Sequence, residues 1–249
     1  MARARLACME RTTGETATGV RTTTERTTGA TGTIDSREAL IGRVRAGARV
    51  KYLLFWGHRP LPDGRIGPSC LSQWWPSRFT VAGVEYATAE HWMMAGKARL
   101  FEDAEAERRV LAADHPAAAK KAGRLVRGFD EAVWERERFR IVVEGSVHKF
   151  ASNPALRAFL LGTGRGERDE ETPAEDGRPP AGGGRLPAGG GRLPAGGGRV
   201  LVEASPVDRV WGIGLAPDDE AATDPERWRG ANLLGFALMA ARQRLRESG

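Results

Sequence analysis

Glu90 and Lys97 are the pair of side chains in this chain best suited to chemistry, because one is an acid and the other an amine. They lie in the segment V-E-Y-A-T-A-E-H-W-M-M-A-G-K-A (84–98), which predicts a helix. Seven residues make nearly two turns, so both side chains point the same way, about 10 Å apart along the axis. The bulky apolar neighbours favour a substrate cleft over the commoner alternative, a solvated helix face.

A second segment, L-V-E-A-S-P-V-D-R-V-W-G-I-G-L (201–215), predicts a strand followed by a loop. Pro206 prevents continuation of a regular strand, and the loop that follows carries Asp208 and Trp211. An acid and an indole on one glycine-containing loop suggest a ligand-binding role.

A third segment, R-W-R-G-A-N-L-L-G-F-A-L-M (227–239), predicts part of a helix in which Gly230 and Gly235 permit close approach of another backbone or a ligand. Four residues separate Trp228 from Asn232, so on a helix they share a face. One flat apolar surface and one amide suit a base or a ribose.

The remaining aromatic and basic side chains allow two interpretations each. Core packing is the simplest role for every tryptophan, but those next to loop residues could equally stack on a planar ligand: Trp56, Trp74, Trp75, Trp211 and Trp228. Trp92 and Trp134 lie in predicted helices, and for them core packing is the favoured role. Arg59 and Arg78 could grip phosphate, although a surface role is simpler. His58 and His91 are candidate proton carriers, and the four histidines lack metal-ligand spacing, so we predict no metal.

The elements that must position these residues can be predicted from pattern and capping signals. A helix begins at Asp35 or Ser36 and runs to 44, and a strand covers 51–57. A hairpin with strands 79–81 and 84–86 delivers the chain into the Glu90 helix, for which Thr88 is the N-cap. Further helices are expected at 102–112, 116–125, 131–150, 153–161 and 226–246, with a strand at 200–203. The fold class is α+β, a mostly helical single domain with a small β-sheet.

Two stretches lack the side chains needed for a core. Residues 1–33 alternate Thr, Arg, Gly and Ala, which predicts a disordered tail. Residues 163–198 end in three seven-residue units of the type R-L-P-A-G-G-G, which predict a low-complexity inserted loop and not a solenoid. The folded domain is therefore predicted to comprise 34–162 and 199–247, with the insertion at a tolerant surface position.

Composition indicates the cellular compartment of the protein more than its function. The formal charge of +6 would help an anionic ligand without specifying one, and plain solubility explains it equally well. Only Cys8 and Cys70 occur, so neither a disulfide framework nor a cysteine-based zinc site is expected. No segment reads as a secretory signal or a membrane span, and we expect a soluble, cytoplasmic protein.

Taken together, five segments in order resemble the NADAR family, also called YbiA-like. They are F-W-G-H, L-S-Q-W-W-P-S-R-F, the 84–98 segment, E-A-S-P-V-D-R-V-W-G-I-G-L and W-R-G-A-N-L-L-G. Gln73 departs from the Asn expected in the second motif, which puts one pocket hydrogen bond in doubt. The tail and the 163–199 insertion lie outside the family pattern.

The resemblance implies a YbiA-like fold and N-glycosidase activity without a cofactor. The bond hydrolysed would join C1 of a phosphorylated ribose to the exocyclic amine of a heterocycle. Two substrate classes follow from it: ribosylaminopyrimidine intermediates of riboflavin biosynthesis, and ADP-ribosylated guanine in DNA. The partner would thus be a phosphorylated ribosyl-amine or an ADP-ribosyl substrate, with ADP-ribosylated DNA as an extension and no membrane. The sequence leaves the oligomeric state open.

Two mechanisms fit the predicted catalytic residues Glu90, Lys97 and Asp208. Lys97, desolvated by Trp92, Met93 and Met94, could form a Schiff base with the opened sugar while Glu90 moves protons. Alternatively, water attacks directly, with Glu90 and Asp208 as the acid and base and Lys97 gripping phosphate. The sequence does not separate the two.

The motifs also supply a substrate-binding set and leave one other class of function open. Trp211 and Trp228 are expected as stacking platforms, Asn232 as a base or ribose contact and Trp134 as a pocket wall. The full set is Phe55, Trp56, Gly57, Trp74, Arg78, His91, Met94, Trp134, Trp211, Gly212, Trp228 and Asn232. The alternative is a non-catalytic module that binds ADP-ribose or a nucleotide in the same cleft.

Overall fold

A computed structural model describes residues 33–164 and 198–248 of the 249-residue chain. The strands are β1 (Tyr52–Phe55), β2 (Phe79–Val81), β3 (Val84–Tyr86) and β4 (Val200–Glu203). The helices are α1 (Arg37–Arg45), α2 (Ala89–Leu100), α3 (Ala104–Leu111), α4 (Pro116–Arg124), α5 (Glu131–Ala151), α6 (Pro154–Gly162) and α7 (Leu233–Glu247). Short 3-10 helices cover Pro68–Leu71 and Glu220–Thr223. The predicted α+β, mostly helical class is confirmed.

The four strands of the described residues form two separate pairs. β1 and β4 run parallel, with Tyr52 opposite Val200 and Phe55 opposite Glu203. Both strands therefore end at the same edge, and the amide of Ala204 donates to the Phe55 carbonyl across it at 2.9 Å. Loops leaving parallel strands at this edge are where α/β architectures place ligands.

The hairpin and the helix after it follow the sequence prediction closely. β2 and β3 are antiparallel, and Ala82 and Gly83 make the turn with positive φ angles of 48° and 80°. Thr88 caps α2, since its Oγ1 accepts from the amide of His91. α2 then packs against α3, α4 and α5, and its buried side chains join the largest hydrophobic cluster of the described core.

The last helix begins later than the sequence pattern predicts. α7 starts at Leu233, seven residues after the expected start at 226, because Asn232 adopts a left-handed conformation with φ of 56°. Its side chain binds β4 instead, where Oδ1 accepts from the amide of Glu203 and Nδ2 donates to the carbonyl of Leu201, both at 2.9 Å. A Cβ on Gly235 would stand 2.1 Å from that carbonyl, so glycine allows α7 to lie directly on the strand.

The predicted tail and most of the predicted insertion lie outside the described residues. At the margins of 165–197, the amide of Arg199 donates to the carbonyl of Thr163 at 2.9 Å, so the flanking segments meet. In the described parts of the chain, no helix combines the length and apolar character required to cross a bilayer.

Candidate active site

Glu90 occupies the first turn of α2 and is almost completely buried, with 2% of its surface exposed. Its amide donates to the carbonyl of Gln73 at 3.0 Å, which ties the helix start to the loop before β2. Burial raises the pKa of the Glu90 carboxyl to about 7, against the opposing effects of Lys120, a hydrogen bond from the Trp74 side chain, and Arg124. A substantial share of Glu90 is therefore protonated at neutral pH, as a general acid requires.

A second glutamate, half-buried but with its Oε2 atom buried, lies in the same electrostatic field. Glu203 is the last residue of β4, and burial, followed by the charge of Asp208, raises the pKa of its carboxyl to about 8. Lys120 acts on the carboxyls of both glutamates, and Asp208 raises the pKa of both. Oε1 of Glu90 and Oε2 of Glu203 are buried without a hydrogen-bond partner among the described residues. Two unpartnered carboxyl oxygens in one cluster are costly without a ligand.

Asp208 is fixed by the loop that carries it. Its Oδ1 accepts from the amides of Val210 at 2.9 Å and Trp211 at 2.7 Å, and its own amide donates to Ser205 Oγ. This turn leaves the second carboxyl oxygen outside these hydrogen bonds. We call Glu90, Glu203 and Asp208 the acid cluster.

Lys97 lies near the other end of α2 in different surroundings. Its Nζ stands 4.1 Å from the centroid of the Phe129 ring and 5.6 Å from that of Trp134. Burial lowers the pKa of the Lys97 amine, and no charged group of the acid cluster contributes to that shift. The expected lowering of its pKa is therefore present, but the aromatic partners are Phe129 and Trp134.

The residues expected to desolvate Lys97 are engaged elsewhere. Met93 and Met94 are in the core, and the Met94 sulfur packs against the backbone of Gly123. The Trp92 ring packs against Tyr86 and donates from Nε1 to the Ile141 carbonyl at 2.8 Å.

A cavity of about 410 Å³ opens beside Trp74. Its wall includes Arg78 and three of the four histidines of the chain, namely His58, His91 and His115. The volume lies within the range that small-molecule sites usually occupy. The Trp74 side chain, which borders the cavity, also hydrogen bonds to Glu90, whereas Glu90, Glu203 and Asp208 are not part of the cavity wall.

The sequence matches the NADAR domain family model over residues 54–176 and 190–246. This chain belongs to the NADAR family. It is 32% identical over 198 residues to a protein of Acanthamoeba polyphaga mimivirus named N-glycosidase R617, covering 78% of this chain and 95% of that protein. It is 26% identical to Protein irg-1 of Caenorhabditis elegans over 65% of this chain and 62% of that protein.

The fold is also similar to that of a solved structure. The NMR structure of the E. coli protein YbiA superimposes with a TM-score of 0.51, covering 80% of this chain and 89% of that one. At 20% sequence identity this likeness concerns the fold alone.

The NADAR domain brings some of the predicted site residues together. Glu90 interacts with Asp208 and Trp74, and Nζ of Lys97 stands 5.6 Å from the centroid of the Trp134 ring. The other predicted binding residues near β1 and β4 flank the strand ends: Trp56 is exposed, Gly57 has a φ of 76°, Trp211 is half-buried and Gly212 approaches the Glu203 carbonyl.

Other predicted binding residues have structural roles in this arrangement. Trp228 is 3% exposed in the core and donates from Nε1 to the Ala222 carbonyl at 2.9 Å, so its ring is not the stacking platform expected. Asn232 is fully buried and holds β4, and since α7 starts after it, it shares no helix face with Trp228. Phe55 and Met94 also belong to the core.

Two of the polar side chains predicted to contact the substrate, His91 and Arg78, have partners within the protein. Both ring nitrogens of His91 are used, Nδ1 with Thr88 Oγ1 at 2.8 Å and Nε2 with the Ala113 carbonyl at 3.1 Å, and burial lowers its pKa. That leaves it poorly placed as a proton carrier. Arg78 forms an exposed ion pair with Glu85 at the rim of the cavity.

Sequence reasoning missed Glu203 and the two basic residues of α4 that face the acid cluster, Lys120 and Arg124. The position of Glu203 at the end of a short apolar strand was the available signal, because parallel strand ends are favoured ligand sites. Within 33–164 and 198–248, no three side chains of metal-ligand type gather so that they could hold an ion.

Proposed function

We propose that this protein is an N-glycosidase that hydrolyses the C1–N bond between a phosphorylated ribose and the exocyclic amine of a heterocycle. Membership of the NADAR family and the 32% identity to a relative named N-glycosidase support a glycosidase-type function. The two substrate classes are riboflavin-pathway ribosylaminopyrimidines and ADP-ribosylated guanine, including guanine in DNA.

The acid cluster is the observation that carries the proposal. Glycosyl transfer needs one carboxyl that is protonated at working pH and another group that accepts a proton from water. Burial provides the first condition at Glu90, whose pKa of about 7 lets it donate to the departing nitrogen. As the C1–N bond breaks, its electron pair passes to that nitrogen, water adds to C1, and Asp208 takes the proton of the water.

The surroundings of Lys97 favour this direct hydrolysis over the Schiff base. Seven residues of helix place Lys97 about 10 Å along the axis from Glu90. The groups that act on the Glu90 carboxyl are Lys120, Trp74, Asp208 and Arg124. We assign Lys97 to substrate binding beside Phe129 and Trp134, and keep the covalent route as the alternative that the experiment separates.

The test is release of free base or sugar, measured by mass spectrometry, from a 5-phosphorylated ribosylaminopyrimidine and from guanine-ADP-ribosylated DNA. Glu90→Gln should lower kcat by about 100-fold or more, since one general acid contributes about that much. Glu135→Gln, an exposed carboxyl on α5, is the matched control and should retain activity.

Lys97→Ala, compared with Lys121→Ala on α4, distinguishes the mechanisms. Direct hydrolysis predicts a raised KM with turnover retained and no adduct after borohydride treatment of the wild type. A trapped adduct that is lost with Lys97 would establish the Schiff base instead. If neither substrate is turned over but ADP-ribose binds, the protein is a non-catalytic binding module and the glycosidase proposal fails.

The pH profile provides a further check on Glu90. Because this carboxyl must be protonated to act, kcat/KM should fall as the pH rises through about 7. A profile that stays flat from pH 6 to 9 would contradict the assignment of Glu90 as the acid.

A further inference from the structure

The cavity beside Trp74 has a wall richer in hydrogen-bond donors than in acceptors. His58 and His115 flank the indole, with ring centroids 5.6 Å and 5.9 Å from that of Trp74. Nδ1 of His115 accepts from the amide of Ala117 at 3.1 Å, so the proton of the neutral ring lies on Nε2, which can donate. Arg78 adds a guanidinium whose ion pair with Glu85 uses Nη1 alone.

Two helices begin at this cavity. Thr88, the N-cap of α2, and His115 and Pro116, the N-cap and first residue of α4, all belong to its wall. The first-turn amides of both helices are bonded within the protein, for example those of His91 to Thr88 Oγ1 and of Ala117 to His115 Nδ1, so the helix ends add only the partial positive potential of their dipoles. Burial is the main cause that lowers the pKa of His91, and His115 and Arg78 lower it further.

Among the described residues that line the cavity, Asp114 is the one acid. A carboxylate repels a bare phosphate, but it is the side chain that usually accepts hydrogen bonds from the hydroxyls of a ribose. A wall with the Arg78 guanidinium and histidine donors on one part and the Asp114 carboxylate on another therefore matches a sugar phosphate better than it matches phosphate alone.

We propose that this cavity binds the ribose 5-phosphate part of the substrate, with the phosphate at Arg78 and His115 and the ribose hydroxyls at Asp114. The identity of the sugar phosphate as substrate rests on the proposed function. Trp74, which borders the cavity and hydrogen bonds to Glu90, then places C1 of the ribose toward the acid cluster.

The experiment is isothermal titration of the full chain with three probes: ribose 5-phosphate, inorganic phosphate and ribose. Ribose 5-phosphate should bind most tightly, because only it engages both parts of the wall. Arg78→Gln and His115→Asn should each weaken ribose 5-phosphate and inorganic phosphate by about tenfold, as expected for one charge-assisted hydrogen bond. Asn retains the capping acceptor of His115 while removing its Nε2 donor.

Asp114→Asn separates a sugar-phosphate site from a plain anion site. It should weaken ribose 5-phosphate and leave inorganic phosphate unchanged or tighter, because a negative charge is removed. Arg45→Gln is the matched control, since Arg45 likewise forms an exposed ion pair with one glutamate, Glu226, and should bind like the wild type.

Three outcomes would overturn the inference. One is ribose 5-phosphate binding no tighter than ribose. Another is binding that Arg78→Gln and His115→Asn leave unchanged. A third is equal weakening of both anions by Asp114→Asn. Binding as expected in a protein that hydrolyses neither substrate would refute the glycosidase proposal alone, whereas turnover with unchanged KM in these variants would refute the cavity assignment alone.

Discussion

Replacement of Glu203 by Gln should make the free energy of unfolding fall less steeply as the pH rises, because it removes a carboxyl whose pKa is raised in the native state. Burial and the charge of Asp208 raise the pKa of the Glu203 carboxyl from 4.5 to about 8. Between these two values the native protein binds more protons than the unfolded chain, so the contribution of Glu203 to stability is present below pH 4.5 and is lost as the pH rises through about 8.

The magnitude follows from the size of that difference. At about 1.4 kcal/mol for each pKa unit, ionising Glu203 in the folded protein costs up to about 5 kcal/mol. Gln is close in shape and neutral at every pH, so it avoids this cost. The stability of Glu203→Gln relative to wild type should therefore increase by about 2 to 5 kcal/mol between pH 5 and pH 9.

Urea unfolding followed by tryptophan fluorescence at pH 5, 6, 7, 8 and 9 measures this difference directly. Glu135→Gln on α5 is the control, because its carboxyl is exposed and its free energy of unfolding should stay parallel to that of the wild type. Parallel curves for Glu203→Gln and wild type, within about 0.5 kcal/mol over the same range, would refute the claim that this carboxyl is buried and protonated.

Two further predictions concern residues that hold the site in place. Gly235→Ala should destabilise the fold by about 1 to 3 kcal/mol in urea unfolding, because the new Cβ would stand 2.1 Å from the Leu201 carbonyl oxygen. The control is Gly42→Ala in α1, which should stabilise the fold slightly, because a Cβ there would meet nothing within 4 Å. Lys149 is fully buried, and its Nζ donates to the carbonyls of Cys70 and Ser72. Burial lowers the pKa of its amine from 10.5 to about 7. Between these two pKa values the native state binds fewer protons than the unfolded chain. The free energy of unfolding of wild type should therefore increase relative to that of Lys149→Met from pH 7 to pH 10.5. A difference between the two free energies that is constant with pH would contradict this prediction.

Local signals were sufficient to predict most of the secondary structure. The hairpin at 79–86, the Thr88 cap and β4 at 200–203 lie where pattern and capping place them, because each depends on residues close in sequence. The start of α7 was predicted wrongly for the opposite reason. Local helix propensity continues through 226–232, but the bonds of Asn232 to β4 outweigh it, and they involve a strand about 30 residues away.

The candidate site was predictable only where residue type and the surrounding motif identified a residue. Glu90 and Asp208 stood out by type and context, and the structure places them in one electrostatic field. Lys120 has no local signal, and that of Glu203 is only its position at a strand end, since the relation of both to Glu90 depends on β4 pairing with β1 and on α4 packing against α2. Trp228 was misassigned because an indole beside glycine suits a core position as well as a ligand.

The acid cluster also explains why chemistry and stability oppose each other in this fold. Two glutamates with raised pKa values and unpartnered oxygens destabilise the native state above neutral pH, and each could be replaced by a neutral side chain of similar size. Glu90 lies in the first turn of α2, and its burial follows directly from the packing of α2 against α3, α4 and α5. The same burial that weakens the fold keeps Glu90 protonated, and a phosphorylated ribose bound beside Trp74 would present its glycosidic bond to that acid.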